Sequence, residues 1–452
     1  MTKVKTQYAC QNCGSLSSKW QGQCPDCLSW NTLIEQVMTK KNMTSLSHKG
    51  YAGTASVVKT LSDVELAHVS RFSSGFSEFD HVLGGGIVPG AVTLIGGDPG
   101  IGKSSILLQM ACSISKTHQV LYITGEESPH QVALRAHRMN LERDRVKLMA
   151  ETNIESIIHV FEEHKPDVMI IDSIQTMATE MLQSAPGGVA QVRESTAILT
   201  RLAKEKNCAI FLIGHVTKTG EVAGPRVLEH IVDVVVLIEG QNDGRYRVMR
   251  AVKNRFGAIN ELGVFAMTDK GMRQVKNPSA IFLSRTEEEI SGSVIMSVWE
   301  GSRPLLVEVQ VLVDENGFGN PRRVTVGLDY NRISILIAVL HKHVSLMLGN
   351  YDVFVNVVGG VKVTETSSDL ALIVAIISSY KNKPIPENWL IFGEVGLSGE
   401  IRPVSHGQDR IIEAKKHGFK TAVIPYSNKP AKSIDNMKIL PVKHVRELID
   451  II

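Results

Sequence analysis

Three groups of residues in this chain have the types and spacing that chemistry needs. In "GGDPGIGKSS", Gly97 is followed by four residues and then by Gly102, Lys103 and Ser104. Such glycines let backbone N–H groups wrap phosphates at a helix N-terminus, a lysine reaches the β and γ phosphates, and a serine is placed for Mg²⁺. Gly97, Asp98, Pro99, Gly100, Ile101, Gly102, Lys103, Ser104 and Ser105 are therefore the expected contacts to ATP. Acids close two apolar runs nearby. Asp172 ends "KPDVMIID", where it would complete Mg²⁺ binding together with Ser104. Glu126 and Glu127 end "YITGEE", where a carboxylate can orient and activate a water for attack on the γ-phosphate. The same pair also reads as the acidic start of a helix capped by Ser128 with Pro129 in its first turn; Glu126 is then the catalytic carboxylate and the second acid serves the helix. His215, at the tip of "FLIGH", senses the γ-phosphate or closes a polar strand end, and both readings stay open.

The third group is "KNRFG", with Lys253 and Arg255 two positions apart after the alternating run "YRVMRAV". Fixed cations can stabilise charge spread over a transferring phosphoryl group. A solvated charge pair is the plainer alternative, and Phe256 and Gly257, which would anchor the turn, fit it poorly.

Cys10, Cys13, Cys24 and Cys27 fall in "CQNCGSLSSKWQGQCPDC" as two Cys-x2-Cys pairs. Each pair can present both thiolates to one ion, which suits a tetrahedral structural Zn²⁺ site with no open position for catalysis. Trp20 and Trp30 are either a base-stacking surface or the core of this small knuckle. Cys112 and Cys208 stand alone in apolar surroundings.

These groups need elements to hold them. At 452 residues the chain exceeds one ordinary core, and 43% hydrophobic with 21% charged residues describes a globular protein. No apolar run reaches the roughly eighteen residues of a membrane span, and "MTKVKTQYAC" has no apolar signal segment, so the expectation is a cytoplasmic protein without a membrane partner. The net charge of +3 names no partner, although Lys3, Lys5, Lys19, Lys40, Lys41, Lys49 and Lys59 face only Asp26 and Glu35 in the first sixty residues. Residues 1–35 read as a C4 zinc finger and 36–60 as a polar linker. In 61–285, apolar strands "AVTLIGG", "QVLYITGE", "DVMIID", "CAIFLIG" and "IVDVVVLIEG" alternate with helices, which implies a parallel sheet covered on both faces. "NDG" then marks a hairpin and a change to antiparallel pairing. Residues 286–452 form a second α/β pattern, with strands "LLVEVQVLV" and "FVNVVGG", helices around "SILIAVLHKHV" and "SDLALIVAIISSY", and a final strand "TAVIP".

The zinc knuckle, "GGDPGIGKSS", "GEES" and "KNRFG", in this order and with these gaps, resemble the bacterial RadA (Sms) family of DNA-repair and recombination proteins along essentially the whole chain. That resemblance implies an α/β protein with an N-terminal zinc knuckle, a RecA-like P-loop ATPase core similar to DnaB-type helicases, and a C-terminal Lon-protease-like (ribosomal S5 domain 2-like) domain. It implies a DNA-dependent ATPase or helicase of homologous recombination, driving branch migration or D-loop extension. Single-stranded and branched DNA, a RecA-type recombinase and a homo-oligomeric ring, a hexamer by family likeness, are the implied partners. In such rings Lys253 and Arg255 act on a neighbour's ATP, and the loops after Asp172 and His215, carrying Arg193, Lys218 and Arg226, face the channel. The C-terminal resemblance rests on "GGVKVTETSSDLALIVAI" and "IFGEVGLSGEIRPVSHGQDRIIEA". It puts Ser367 at the protease nucleophile, Gln408 at the lysine base and Asp369 where a small residue belongs; Lys415 and Lys416 lie two helical turns further on. An amide cannot take the hydroxyl proton, so the domain reads as a platform for assembly or DNA. A Lon-like ATP-dependent peptidase and a nucleotide-switched adaptor are the rival functions.

Overall fold

The computed structural model describes residues 5–10, 16–25, 28–38, 70–215, 228–240, 245–275, 279, 283, 290–316, 320–360 and 362–452. The chain divides into two compact units, 1–275 and 276–452. Cys13, Cys27, Lys218, Arg226 and the hairpin "NDG" lie outside the described residues.

At the start of the first unit, β1 (Lys5–Cys10) pairs antiparallel with β2 (Leu16–Ser17) and β3 (Leu33–Met38). Cys10, Cys24 and Leu33 are the buried centre of this ribbon. Trp20 and Trp30 are 58% and 70% exposed, so neither is its core.

The large sheet of this unit has nine described strands. Those that position the candidate site are β4 (Val92–Gly97), β5 (Val120–Thr124), β6 (Val146–Ala150), β7 (Val168–Asp172), β8 (Ala209–His215), β9 (Val234–Gly240) and β10 (Tyr246–Asn254); β11 (Leu262–Thr268) and β12 (Gly271–Gln274) complete it. Their order is β12-β11-β10-β9-β4-β8-β7-β5-β6. Strands β4 to β9 run parallel and β9 to β12 antiparallel. The central strands are apolar throughout because alternate residues enter different cores. Ile95 and Ile170 pack under α1 (Ser77–Val82), α2 (Lys103–Ile114) and α3 (Pro129–Arg138), whereas Leu94 and Ile171 pack under α4 (Ile154–His164) and α5 (Val189–Lys206).

The second unit carries a seven-stranded described sheet built on β13 (Ser293–Glu300) and β14 (Arg303–Glu315), with β15 (Arg323–Val326), β16 (Tyr351–Val357), β17 (Trp389–Ile391), and further strands Thr421–Pro425 and Lys438–Val442. Helices α6 (Tyr330–Val344) and α7 (Asp369–Lys381) share one core with the sheet, while α8 (Gly407–Lys416) shares another with Leu306, Leu390 and Phe392. "TAVIP" is not the final strand. Lys438–Val442 adds to it in parallel, and its half-exposed "KILPV" lacks the apolar run that marks a central strand.

Candidate active site

Strand β4 ends on Gly97 and the chain enters α2 at Lys103, so the glycine loop bridges a strand end and a helix N-terminus. Gly97 and Gly102 adopt positive φ, and at Gly97 neighbouring backbone also leaves no room for a side chain. At Gly97 (φ 153°) a Cβ would lie 2.6 Å from the Ile238 carbonyl oxygen, and at Gly102 (φ 113°) 2.2 Å from Met272 Cε. Asp98, Pro99 and Gly100 form the exposed crest, and Ser104 and Ser105 begin the helix half-buried. Lys103 is buried, and its Nζ donates to the carbonyls of Gly97 at 2.8 Å and Asp98 at 3.0 Å. Burial lowers its pKa, against the pull of the Asp172, Glu126 and Asp98 carboxylates. An amine held inside its own loop and bracketed by acids suits a cradle that takes a Mg²⁺-bound polyphosphate, with Lys103 on its phosphates and Ser104 and Asp172 on the ion.

The acidic residues gather at the same sheet end. Thr124 lies opposite Asp172, and Gly125 N–H donates to the Asp172 carbonyl at 2.7 Å. Asp172 is buried and accepts a 2.6 Å hydrogen bond from the Tyr122 hydroxyl. Glu126 is exposed and accepts from the Ser173 hydroxyl. Glu127 pairs with Arg135 on α3. Ser128 caps that helix in a capping box with Gln131, and Pro129 opens it. His215 ends β8 directly opposite Gly97.

Lys253 and Arg255 are not in this cluster. Where β4 and β9 pair, Gly97 meets Ile238 and Thr93 meets Val234; Asn254 also meets Val234. The turn "KNRFG" thus stands at the sheet end away from the glycine loop, four residues or about 13 Å along the strands. It is firmly held there. Asp233, 1% exposed, accepts from Arg255 at 3.2 Å, from Lys204 Nζ at 2.6 Å and from Val92 N–H at 3.0 Å. Lys253 Nζ donates to the Val232 carbonyl at 2.8 Å and to the Glu229 carbonyl. Burial lowers its pKa, and the Arg255 charge adds to the effect. A Cβ on Gly257 would lie 3.0 Å from Gly84 Cα, a tight approach of two backbones that a side chain would crowd. The Arg255 side chain remains 53% exposed beyond its contact with Asp233.

Residues 59–221 match the AAA domain model, 8–35 the rubredoxin metal binding domain, and 335–428 the subunit ChlI of Mg-chelatase. The DNA repair protein RadA of Pseudomonas aeruginosa is 57% identical over 450 residues, covering 100% of this chain and 99% of the relative. Those of Escherichia coli and Aquifex aeolicus are 54% and 46% identical, covering 98% and 100% of those proteins and 99% and 100% of this chain. The chain belongs to the RadA family of DNA repair proteins. A KaiC-like protein from Pyrococcus horikoshii is also similar, with 18% identity and a TM-score of 0.39, over 46% of this chain and 100% of that one.

This chain combines a zinc ribbon, an ATP-binding RecA-like AAA core and a C-terminal ChlI/Lon-like α/β domain. In the ribbon, the described cysteines Cys10 and Cys24 are buried beside Leu33, as a folded metal knuckle requires. No helix among the described residues is long and apolar enough to cross a membrane. Cys112 and Cys208 are buried in the RecA-like core; burial pushes the Cys112 thiol up to about 11 and that of Cys208 further still.

In the ChlI/Lon-like domain, the group that meets Ser367 is a different one from the sequence expectation. Gln408 is exposed on α8, whereas Arg410, fully buried on the same helix, donates to Ser367 Oγ at 3.2 Å. Arg410 also holds both Glu365 oxygens at 3.0 Å and the Ser297 carbonyl at 2.6 Å. Ser367 itself donates to Glu365 at 2.5 Å. A guanidinium stays protonated and cannot serve as a base. Asp369 is buried and paired with Arg332, and burial raises its pKa.

Tyr122, Ser173, Lys204, Asp233 and Arg410 are the site residues that sequence reasoning missed. Asp233 did carry a signal, as the one acid inside the apolar run "IVDVVVLI".

Proposed function

We propose that this chain is a DNA-dependent ATPase and helicase of homologous recombination and repair, driving branch migration or D-loop extension on single-stranded and branched DNA. It works as a homo-oligomeric ring, a hexamer, alongside a RecA-type recombinase. In each subunit Lys103 holds the β and γ phosphates, Ser104 and Asp172 hold Mg²⁺, Glu126 activates the attacking water, Glu127 fixes α3, and His215 senses the γ-phosphate beside Gly97. Bound Mg²⁺ neutralises phosphate charge. Lys253 and Arg255 complete the site of the neighbouring subunit; Arg193, which lies in the first turns of α5 and not in a loop as the sequence suggested, faces DNA together with Lys218 and Arg226 from the segment after His215. The domain limits in this reading are 1–35, 36–60, 61–285 and 286–452.

One observation carries the reading: "KNRFG" is rigidly built yet stands at the sheet end away from its own glycine loop. A cation there is of use to a nucleotide only if the nucleotide belongs to another subunit, which ties hydrolysis to assembly. The decisive assay is unwinding of forked DNA with each polarity of single-stranded tail, alongside ATP turnover with and without DNA. DNA-stimulated turnover with unwinding of one polarity supports the motor; nucleotide-dependent DNA binding without unwinding would replace it with the adaptor. Against the peptidase, Ser367 meets Arg410, which stays protonated, and a Glu365 carboxylate already neutralised by that guanidinium, rather than a lysine.

A further inference from the structure

We propose that Tyr122 is a positioning residue for ATP hydrolysis, whose hydroxyl holds one oxygen of Asp172 so that the other stays turned toward the nucleotide's metal ion. The inference deepens the reading above and rests on Asp172 as a Mg²⁺ carrier.

Tyr122 sits two residues before the end of β5, completely buried in the core beneath α2. Its backbone pairs with Ile170, while Thr124 pairs with Asp172, so the phenol reaches diagonally one pleat along the neighbouring strand. There it donates to Asp172 Oδ2 at 2.6 Å. A phenylalanine would fill the same apolar volume, and a buried hydroxyl costs stability unless it is hydrogen-bonded. The hydroxyl therefore needs a reason, and its bond to a site carboxylate supplies one.

A carboxylate at a strand end can rotate and can offer either oxygen to an ion. With Oδ2 bonded to Tyr122, a rotation of the carboxylate would break that bond and Oδ1 is the oxygen left for an ion; the Asp172 charge is the leading favourable influence on the Lys103 ammonium. Groups that hydrogen-bond to a metal-binding carboxylate commonly tune metal affinity by about 10- to 100-fold. The second acid is held in parallel fashion: Ser173, next to Asp172, donates to Glu126 across the same pair of strands.

The test uses the full-length protein and a fluorescent ADP analogue, titrated with Mg²⁺ and separately bound in EDTA. Tyr122→Phe removes only the oxygen. Affinity in EDTA should match the parent protein, while the Mg²⁺ needed for half-maximal enhancement of binding should rise roughly tenfold. Steady-state kcat should fall with little change in KM at saturating Mg²⁺. Asp172→Asn is the companion variant, expected to lose most of the Mg²⁺ dependence. If Tyr122→Phe needs the same Mg²⁺ within about twofold while Asp172→Asn loses its dependence, the positioning role is overturned and Asp172 keeps its own. A lower melting temperature without a change in Mg²⁺ requirement would likewise make Tyr122 a structural residue only. If Asp172→Asn keeps the parent Mg²⁺ dependence, the reading of Asp172 fails and this inference falls with it.

Discussion

Lys103 and Arg255 stand at opposite ends of one sheet: the lysine follows Gly97, which pairs with Ile238, and the arginine follows Asn254, which pairs with Val234. The proposed reading has Arg255 serve a second subunit, and mixing separates this from a role on DNA or in its own fold. Arg255→Ala should lower ATP turnover by on the order of 10³ with a smaller effect on nucleotide affinity. Lys103→Ala subunits retain Arg255, and Arg255→Ala subunits retain the glycine loop, so rings made from both should recover part of the activity that each lacks. Mixed assemblies that stay as inactive as the parents at every ratio would place "KNRFG" in its own subunit or on DNA.

Asp233 is the anchor of that turn, holding Arg255, Lys204 and the Val92 amide at once. Asp233→Asn keeps the shape and removes the charge. Turnover should drop toward that of Arg255→Ala while ADP binding is retained. Full turnover in a folded Asp233→Asn ring would show that Arg255 needs no such support.

In the proposed mechanism Lys103 acts on phosphates, although it is buried and bonded to its own loop. Lys103→Ala should abolish hydrolysis and leave the circular-dichroism spectrum unchanged. Undiminished DNA-stimulated turnover would remove the nucleotide site from this loop.

One zinc ion per chain is expected, and Cys24→Ser should lose it. Because residues 36–60 read as a linker, the melting transition of the RecA-like core should move little. Metal analysis of the purified protein checks the first expectation and calorimetry the second.

Ser367 is bonded to Glu365 and Arg410, and the Glu365 carboxylate is itself tied through both oxygens to that buried guanidinium, so no lysine base meets the hydroxyl. Protein degradation should be absent with ATP and DNA present, and Ser367→Ala should leave DNA-dependent turnover unchanged. Arg410→Ala is the destabilising change, since it leaves Glu365 without its cation; a loss of about 3 kcal/mol in the second unit is expected from denaturant unfolding. ATP-dependent degradation that vanishes in Ser367→Ala would reinstate the peptidase.

Some of this protein is written locally and some is not. The five apolar strands from "AVTLIGG" to "IVDVVVLIEG", the glycine loop and the Ser128 cap depend on neighbours a few residues away, so periodicity and spacing suffice to place them. Edge strands such as β6 and Lys438–Val442 bury only part of their surface, and their mixed polarity hides them from the same reading. The chemistry that depends on distant pairs was invisible. Nothing in the sequence says that Tyr122 meets Asp172 fifty residues away, because strand order brings β5 beside β7. Nor does it say that α8 turns Arg410 rather than Gln408 inward; burial around Phe392 and Trp299 selects the helix face. The chain alone determined which residues can bind phosphate and metal. Only the sheet's strand order decided that Lys103 and Arg255 follow opposite ends of the sheet, since position along parallel strands is fixed by register and not by sequence distance.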